Sequence, residues 1–510
     1  MSAPHLVRGP ARPTQPIELA GDPGAATPRL PAQRVHVPDG VLDRLRRACH
    51  RVDGDPATVA EASRDWWPLA MSWATEGQLA GLATAVARPT TSAQIADVLA
   101  ICDEARLPVT AAAGRSGVCG AAVPLHGGVL LDLTGLAGIV DVDPTSLILD
   151  VAPGTFGDHL EADLRSQHAV TLGHWPQSLA LSTVGGWLAC RSAGQLSTRY
   201  GKIEDMVLGL DVALADGRLV RTGSRAPRAA VGPDLTQLFV GSEGTLGIIC
   251  GARLRLHPEP QAERRGAWLL DSFEQGLDAL RRVVQRGATP AALRLYDPDE
   301  AARTYHTDER ALVLVLDEGD PRLVDASMSI VAEELEAGSS PSAEPTTPDH
   351  VEHWLEHRND VAALEALISR GYVVDTMEVS GPWSALPRIY RAAREALLAV
   401  DGTLAATAHQ SHSYSAGGCL YFTFAGQVAS DHRDVYYKTV WDAGQRAVLA
   451  NGGSLSHHHG VGLNRARFMA EALGGAFDVL IATKHTLDPH GILNPGKLGL
   501  PSPWGSVEGW

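Results

Sequence analysis

Three glycine-rich stretches decide how this chain folds: AAAGRSGVCG at residues 111–120, STVGGW at residues 182–187 and GSEGTLG at residues 241–247. Glycine lets successive backbone N–H groups converge on an anion without a Cβ in the way, and the interleaved Ser and Thr hydroxyls add donors. The first stretch reads G-x-x-G-x-x-G, which differs from the G-x-G-x-x-G of a nicotinamide-binding turn. One such stretch is usually only a tight turn, but three in one domain predict backbone wrapped around a phosphate group.

The segments around these stretches predict an α+β fold. Residues 87–260 alternate short β runs with helices, and residues 264–337 contain longer helix and strand units of β-α-β type. In the first part we predict a helix at 92–105, a buried strand at 129–133, a hairpin at 139–151 and a helix at 156–168. The stretch GSSPSAEPTTP at residues 338–348 has the composition of a solvated loop.

Composition limits the class of protein. The 510 residues suffice for about three domains, and the formal net charge of −16 disfavours a general role on nucleic acid or on an anionic membrane surface. The six cysteines form no CxxC pair, which fits a reducing compartment, so we expect a cytoplasmic protein. No run reaches the roughly 18 apolar residues of a transmembrane segment.

Further motifs carry a resemblance to a known family. RPTT (88–91), PQSLALSTVGGW (176–187), YGKIED (200–205) and LNPGKLG (493–499) occur with the glycine stretches in the order seen in flavoproteins of the vanillyl-alcohol oxidase type, whose fold is called the PCMH-type FAD-binding domain. Within that superfamily, YSAGGCLYF (414–422) and ANGGSLSHHHGVG (450–462) resemble alkyldihydroxyacetonephosphate synthase and the bacterial FAD-binding oxidases.

The resemblance implies a two-subdomain PCMH-type FAD-binding domain, an α/β cap domain that holds substrate, and a C-terminal tail that returns to the FAD domain. The expected divisions are a disordered tail (1–40), an N-terminal helical region (41–84), the FAD-binding domain (85–261), the cap (262–455) and the C-terminal segment that completes the flavin site (456–510).

Carried over by position, the resemblance also implies which residues bind FAD. Those expected at the pyrophosphate are Ala113, Gly114, Arg115, Ser116, Gly117, Ser182, Thr183, Gly185 and Gly186. Those expected near the isoalloxazine and ribityl chain are Pro176, Ser178, Ile203 and Asp205. Those expected in the adenine-side groove or in the C-terminal motif are Glu243, Gly244, Thr245, Gly247, Ile248, Asn494 and Lys497. Because the RSGGH pattern of a histidyl flavin bond is absent, and Cys119 alone carries no such signal, we expect non-covalent FAD.

The expected catalytic residues are Tyr421, the histidine run and Arg294. The run consists of His457, His458 and His459, and imidazole is a natural proton carrier because its pKa lies close to working pH. In extended chain its members alternate faces, so a three-ligand metal site within the run is geometrically poor and we expect no metal. By the same alternation, at most two of His409, His412 and Tyr414 can face one site.

Two of these residues keep alternative readings. Tyr421 lies in a β-like run, where a core phenol is the default; beside a flavin it would be a hydrogen-bond donor or a phenolate base. Arg294 lies on an apolar strand and needs a counter-charge, which is either a buried carboxylate, Asp297 or Glu378, or an anionic substrate.

The expected function is an FAD-dependent oxidoreductase that takes hydride from a carbon bearing oxygen, in an alcohol or hydroxy acid with or without a phosphate. One alternative is a redox-neutral exchange of the synthase type, which makes an ether-lipid precursor. Another is a non-enzymatic flavin-binding protein. The expected partner is a small-molecule substrate and no nucleic acid, and a homodimer is left open.

Overall fold

The computed structural model describes residues 8–337, 342–360 and 362–510. After a 3-10 turn at Pro23–Ala25 and a short strand at Thr27–Pro28, three helices follow, Asp39–Ala48, Pro56–Ala62 and Pro68–Ala74. A four-stranded sheet follows, in the spatial order Arg51–Asp53, Ala85–Arg88, Val129–Asp132, Val109–Ala112. The last three strands are parallel, and the helix Ser92–Glu104 begins where the Thr91 hydroxyl accepts the Gln94 N–H.

A five-stranded antiparallel sheet forms the second half of the first domain. Its spatial order is Leu219–Gly223, Val207–Ala213, Ile248–Arg255, Ile148–Val151, Ile139–Asp143. The helices of this half are Gly157–His168, Val184–Cys190, Ser197–Tyr200, Ile203–Met206 and Leu235–Phe239. The predicted hairpin, the strand near 129 and the helices near 92 and 156 are therefore confirmed.

The second domain is built on a seven-stranded sheet in which every pairing is antiparallel. Its spatial order is Glu344–Thr346, Ala262–Leu270, Ala311–Gly319, Ala292–Tyr296, Thr403–Ser413, Gly417–Gly426, Val373–Pro382. Its helices are Phe273–Gln285, Pro298–Tyr305, Pro321–Ala332, Asp349–His357, Ala362–Ser369, Leu386–Leu398 and Arg433–Ala450. Leu293, Leu295, Ala408, Leu420 and Phe422 lie in its buried core.

The C-terminal segment returns to the first domain, as predicted. After the helices Met469–Leu473 and Gly475–Leu487, Leu493 forms a parallel bridge with Val109 on the four-stranded sheet. The buried Lys484 ammonium donates to the carbonyl oxygens of Thr245 and Leu493, both at 2.8 Å. The segment 484–493 is thereby fixed beside the third glycine stretch.

Two expectations about irregular segments are corrected. From residue 8 onward the expected loose tail packs on the protein: Ile17, Leu19 and Leu30 are buried, and Thr27–Pro28 pairs with Gln78–Leu79. Its Pro-rich composition hid these apolar anchors, while residues 1–7 lie outside the described residues. The region 41–84 contains strands as well as helices.

The predicted loop at 338–348 is corrected in part. Residues 338–341 lie outside the described residues, but Glu344–Thr346 is an edge strand that pairs with residues 267–269. An edge strand tolerates Pro345 because one side of its backbone needs no partner.

Candidate active site

A cavity of about 720 Å³ lies between the two domains, within the size range of small-molecule sites. One side is formed by the three glycine stretches and the segment 176–195, and we call it the glycine wall. The other side is formed by Arg294, His409, His412, Tyr421, His458 and His459, and we call it the imidazole wall.

Most of the residues expected to bind the cofactor lie on the glycine wall. They are Ala113, Gly114, Arg115, Ser116, Gly117, Pro176, Ser178, Ser182, Thr183, Gly185, Gly186, Glu243, Gly244, Gly247 and Ile248. The local fold explains their convergence, because Thr183 caps the helix Val184–Cys190 and the Ser182 hydroxyl accepts the Trp187 indole N–H at 2.7 Å. The separate segments of the glycine wall thus expose their backbone to the same cavity.

Two different requirements explain the glycines on this wall: open space for a ligand at some positions and close packing within the protein at others. A Cβ on Gly117 would meet no heavy atom within 4 Å, and one on Gly186 would meet only the Thr183 hydroxyl at 3.4 Å, so both leave open space for a ligand. A Cβ on Gly114 would lie 2.3 Å from the Leu181 carbonyl oxygen, and one on Gly185 would lie 2.7 Å from Pro153 Cβ. Gly114 and Gly185 are therefore required by packing of the protein itself.

Arg115 tests whether an anionic cofactor suits this wall. It lines the cavity with a positive φ of 55°, and its buried Nε has no hydrogen-bond partner among the described residues. Burial lowers the pKa of its guanidinium. An unsatisfied buried cationic donor beside open glycine backbone fits the pyrophosphate of FAD.

Five predicted cofactor residues do not line the cavity: Ile203, Asp205, Thr245, Asn494 and Lys497. Ile203 is a core residue, and the Asp205 carboxylate caps its helix by accepting the Lys202 N–H at 2.9 Å. The Thr245 hydroxyl donates to the Ser242 carbonyl oxygen at 2.7 Å.

The other two residues connect segments. Asn494 donates to the carbonyl oxygens of Ala121 (3.0 Å) and Glu243 (2.7 Å), and Lys497 donates to the Val123 carbonyl oxygen (2.7 Å). Burial lowers the pKa of Lys497 to about 7. The hydrogen bonds of these side chains stabilise the glycine wall on the side that faces away from the cavity.

On the imidazole wall, Tyr421 and His409 face each other from paired strands. Their rings stack with centroids 4.8 Å apart, and His409 Nδ1 lies 3.0 Å from the Glu300 carboxylate. The Tyr421 hydroxyl donates to Thr376 Oγ1 at 3.1 Å, and burial raises the pKa of its phenol. The raised pKa favours the neutral phenol over the phenolate, and the phenol proton is donated to Thr376.

Glu378 holds the histidine run. Its carboxylate accepts the backbone N–H groups of His457 at 2.7 Å and His459 at 2.5 Å, and the Ser456 hydroxyl at 2.8 Å. The same carboxylate pairs with Arg465 at 3.3 Å, and both side chains are fully buried. Buried charges of this kind need partners, so the Glu378–Arg465 pair fixes the position of the run.

The expected alternation of faces in the run is wrong, because the backbone bends at residues 457–459. His458 and His459 line the cavity, while His457 lies behind them and its Nε2 is 3.0 Å from the Tyr414 hydroxyl. Burial lowers the pKa of His459 to about 4 and those of His457 and His458 well below the ordinary value.

The strand Thr403–Ser413 brings His409 and His412 to the cavity together. Simple alternation would separate them, but His412 has a positive φ of 56° and the pairing register shifts between Ser411 and Ser413. Tyr414 stays behind the wall with His457. The expectation that at most two of these three residues face the site agrees with the structure.

Neither carboxylate proposed as a partner of Arg294 pairs with it. Asp297 accepts the N–H groups of Glu300 and Ala408, and among the described residues no carboxylate lies within ion-pairing distance of Arg294. Its Nε donates to the Tyr296 hydroxyl at 2.9 Å, and its guanidinium lies 5.4 Å from the Trp354 ring. Arg294 lines the cavity, and the Glu300 carboxylate interacts with it electrostatically without forming an ion pair.

Sequence reasoning missed Arg358 on the same cavity. Its guanidinium lies 4.8 Å from the Trp175 ring of the first domain and 5.5 Å from the Trp354 ring of the second. Burial lowers the pKa of Arg358 to about 10. It lies just after a short helix in a polar stretch, and no local signal distinguished it from a surface arginine.

It also missed the roles of Glu378, Arg465 and Glu300. The one available signal was a glutamate inside the apolar strand Val373–Pro382, since a buried carboxylate implies a specific partner.

Cys119 is buried and does not line the cavity, whereas Cys190 does.

Comparisons with known proteins agree with this architecture. Residues 83–223 match the family model "FAD binding domain", and residues 259–498 match "FAD linked oxidases, C-terminal domain". The Escherichia coli O157:H7 protein named "Uncharacterized FAD-linked oxidoreductase YgcU" is 31% identical over 408 residues, covering 77% of this chain and 83% of that protein. The chain therefore belongs to the FAD-linked oxidoreductase family.

One further relative is similar in sequence, and one solved structure is similar in fold. The alkyldihydroxyacetonephosphate synthase of Trypanosoma brucei brucei is 29% identical over 408 residues, covering 74% of this chain and 65% of the synthase. The crystal structure of p-cresol methylhydroxylase with substrate bound superposes with a TM-score of 0.74 at 18% identity, over 92% of this chain and 99% of that one. The predicted PCMH-type α+β fold is confirmed. No helix among the described residues has the length and apolarity to span a bilayer.

Proposed function

We propose that the protein oxidises a small alcohol or hydroxy acid, with hydride leaving a carbon that bears oxygen. The observation that carries the proposal is that one cavity joins the open glycine wall to a phenol, several neutral imidazoles and an arginine with no ion-pair partner among the described residues. Bound FAD would supply the hydride acceptor. Membership of the FAD-linked oxidoreductases supports this reaction class.

The glycine wall would hold the cofactor. The open faces of Gly117 and Gly186 leave room for a pyrophosphate, and the unsatisfied Arg115 would compensate its charge. We propose that FAD binds without a covalent link, because the chain lacks the RSGGH pattern of a histidyl flavin bond. Acid precipitation tests this point: the flavin should appear in the supernatant, and a yellow pellet would contradict it.

The imidazole wall would move the hydroxyl proton. His459 Nδ1 lies 3.6 Å from the Glu378 carboxylate, which would stabilise the ring after it accepts a proton from the substrate hydroxyl. The neutral Tyr421 phenol would turn its one proton from Thr376 Oγ1 to the substrate oxygen and so donate a hydrogen bond to it. Arg294 would hold an anionic group of the substrate, either a carboxylate or a phosphate.

A second candidate is the redox-neutral exchange performed by alkyldihydroxyacetonephosphate synthases, supported by the 29% identity to the T. brucei brucei enzyme. The two candidates differ in their electron balance. Net oxidation leaves the cofactor reduced until an acceptor removes the electrons, whereas the exchange leaves it oxidised after turnover.

An anaerobic titration separates them. FAD-loaded protein is mixed with glycolate, lactate or glycerol 3-phosphate, and the visible flavin absorbance is followed. We expect at least one of these probes to bleach the flavin. A flavin that stays oxidised with all three, while acyl-dihydroxyacetone phosphate and a fatty alcohol are converted to an ether product, would establish the exchange instead. A protein that binds no flavin even when FAD is supplied would exclude both.

A further inference from the structure

Three imidazoles from two distant segments meet at the edge of the cavity. One ring nitrogen of each of His412, His457 and His458 lies within 4.8 Å of a ring nitrogen of the other two. His412 and His457 are buried and His458 is partly buried. The third member comes from the sheet and not from the histidine run, which is why the spacing of the run alone could not reveal the cluster.

Partners outside the cluster orient two of the rings. His412 Nδ1 lies 2.6 Å from the Ser197 hydroxyl, and His457 Nε2 lies 3.0 Å from the Tyr414 hydroxyl. A histidine that binds a metal characteristically uses its second nitrogen in a hydrogen bond of this kind, which fixes the ring. These two partners leave the second nitrogen of each ring, His412 Nε2 and His457 Nδ1, available to the cluster, where His457 Nδ1 lies 2.9 Å from His458 Nδ1.

Two ring nitrogens that face each other at hydrogen-bonding distance cannot both present a lone pair, so a proton or a cation lies between them. His457 Nδ1 and His458 Nδ1 are 2.9 Å apart, so these two rings share either one proton or a cation. The nearby Lys202 ammonium does not oppose a cation with its full charge, because it pairs with Glu204 at 3.0 Å and donates to the His457 carbonyl oxygen at 2.7 Å. The Glu378 carboxylate beneath the run is paired with Arg465, so this ion pair adds no net charge there.

We propose that His412 Nε2, His457 Nδ1 and His458 Nδ1 bind one Zn²⁺ ion, with the fourth coordination position open to the cavity. Tetrahedral zinc with Zn–N distances of about 2.0–2.1 Å places its ligand nitrogens about 3.3 Å apart. Separations of up to 4.8 Å in the present cluster therefore need to shrink by about 1.5 Å, and the pair of nitrogens 2.9 Å apart needs to widen by about 0.4 Å. His412 and His458 line the cavity, which makes the fourth position accessible to a ligand. Polarisation of a substrate oxygen by the ion rests on the proposed function, but binding of the ion does not.

Binding is measured on full-length, FAD-loaded protein that has been stripped with a chelator, dialysed and exposed to Zn²⁺. We expect one tightly held zinc per chain after gel filtration, counted by elemental analysis. His412→Ala and His457→Ala should abolish it. Ser197→Ala and Tyr414→Phe should keep it but weaken the affinity roughly 10–100-fold, because each removes only an orienting partner. His353→Ala, which alters another cavity histidine outside the cluster, should retain one zinc.

A measurement on the unaltered protein keeps the proposal decidable if these variants fail to fold. X-ray absorption at the zinc edge should show three imidazole ligands and one oxygen. A zinc content far below one per chain, sulfur ligation, or an undiminished zinc content in folded His412→Ala would overturn the proposal. Because none of these readouts depends on turnover, failure of the oxidation proposal and failure of the zinc site are distinguishable.

Discussion

The glycine wall and the imidazole wall bound one cavity but are built by opposite means. The glycine wall is mostly backbone contributed by short contiguous motifs, and its shape depends on where a Cβ is missing. The imidazole wall is made of side chains that begin at residue 294 and end at residue 459, and buried carboxylates position them. Cofactor binding therefore leaves a local trace in the sequence, whereas the reacting groups depend on contacts between distant segments.

The largest expected effect comes from filling the glycine wall. Gly117→Val should fold, since a Cβ there meets nothing within 4 Å, but should lose FAD because the branched side chain occupies the cofactor space. Flavin-to-protein ratio and calorimetric FAD binding measure the effect. Gly40→Val is the matched control, as its position is equally open but lies far from the cavity, on the helix Asp39–Ala48. Equal FAD content in both variants would contradict the assignment of this wall.

The imidazole wall should show the opposite behaviour. His459→Asn and Tyr421→Phe should keep FAD and lose turnover by about 10²–10⁴-fold, the usual contribution of acid–base and hydrogen-bonding groups. Turnover is assayed with whichever probe bleaches the flavin. Loss of flavin without a specific loss of turnover would mean that cofactor binding and catalysis are not separated between the two walls.

Removal of the buried charge beneath the histidine run should cost stability. Glu378→Gln leaves Arg465 without its counter-charge and should lower the free energy of unfolding by about 3–5 kcal/mol. Glu76→Gln removes a partly exposed partner of Arg433 and should cost less than about 1 kcal/mol. Denaturant midpoints of the two variants provide the comparison, and similar midpoints would argue against the positioning role of Glu378.

A smaller effect is expected at Arg294. Arg294→Lys keeps the charge but loses the planar fork that suits a carboxylate or phosphate, so KM should rise roughly tenfold to a hundredfold with FAD content unchanged. Steady-state kinetics on folded variant protein measure it. An unchanged KM would show that the substrate anion binds elsewhere, with Arg358 the next cavity arginine to replace.

Sequence reasoning reached the elements whose information is local. The hairpin at 139–151, the helix at Ser92–Glu104 and the open glycines each follow from a short pattern. It did not reach the Glu378–Arg465 pair, whose members are 87 residues apart, because a buried ion pair has no periodic signature. Nor did it foresee that the positive φ of His412 would redirect that side chain toward the histidine run.

Asn494 and Lys497 show a second limit of sequence reasoning: they lie in a recognisable motif but do not line the cavity. The motif that contains them belongs to the family pattern, but these side chains bind backbone carbonyl oxygens behind the wall and do not line the cavity. A motif therefore marks residues that the site needs without distinguishing those that touch the ligand from those that hold the wall.

The most direct test of the account is an experimental structure of the FAD-loaded protein. We expect the pyrophosphate against the backbone of Gly117 and Gly186 with Arg115 beside it, and the isoalloxazine nearest to Tyr421 and His459. A pyrophosphate bound instead by Arg294 and Arg358, with the isoalloxazine against the glycine wall, would contradict it.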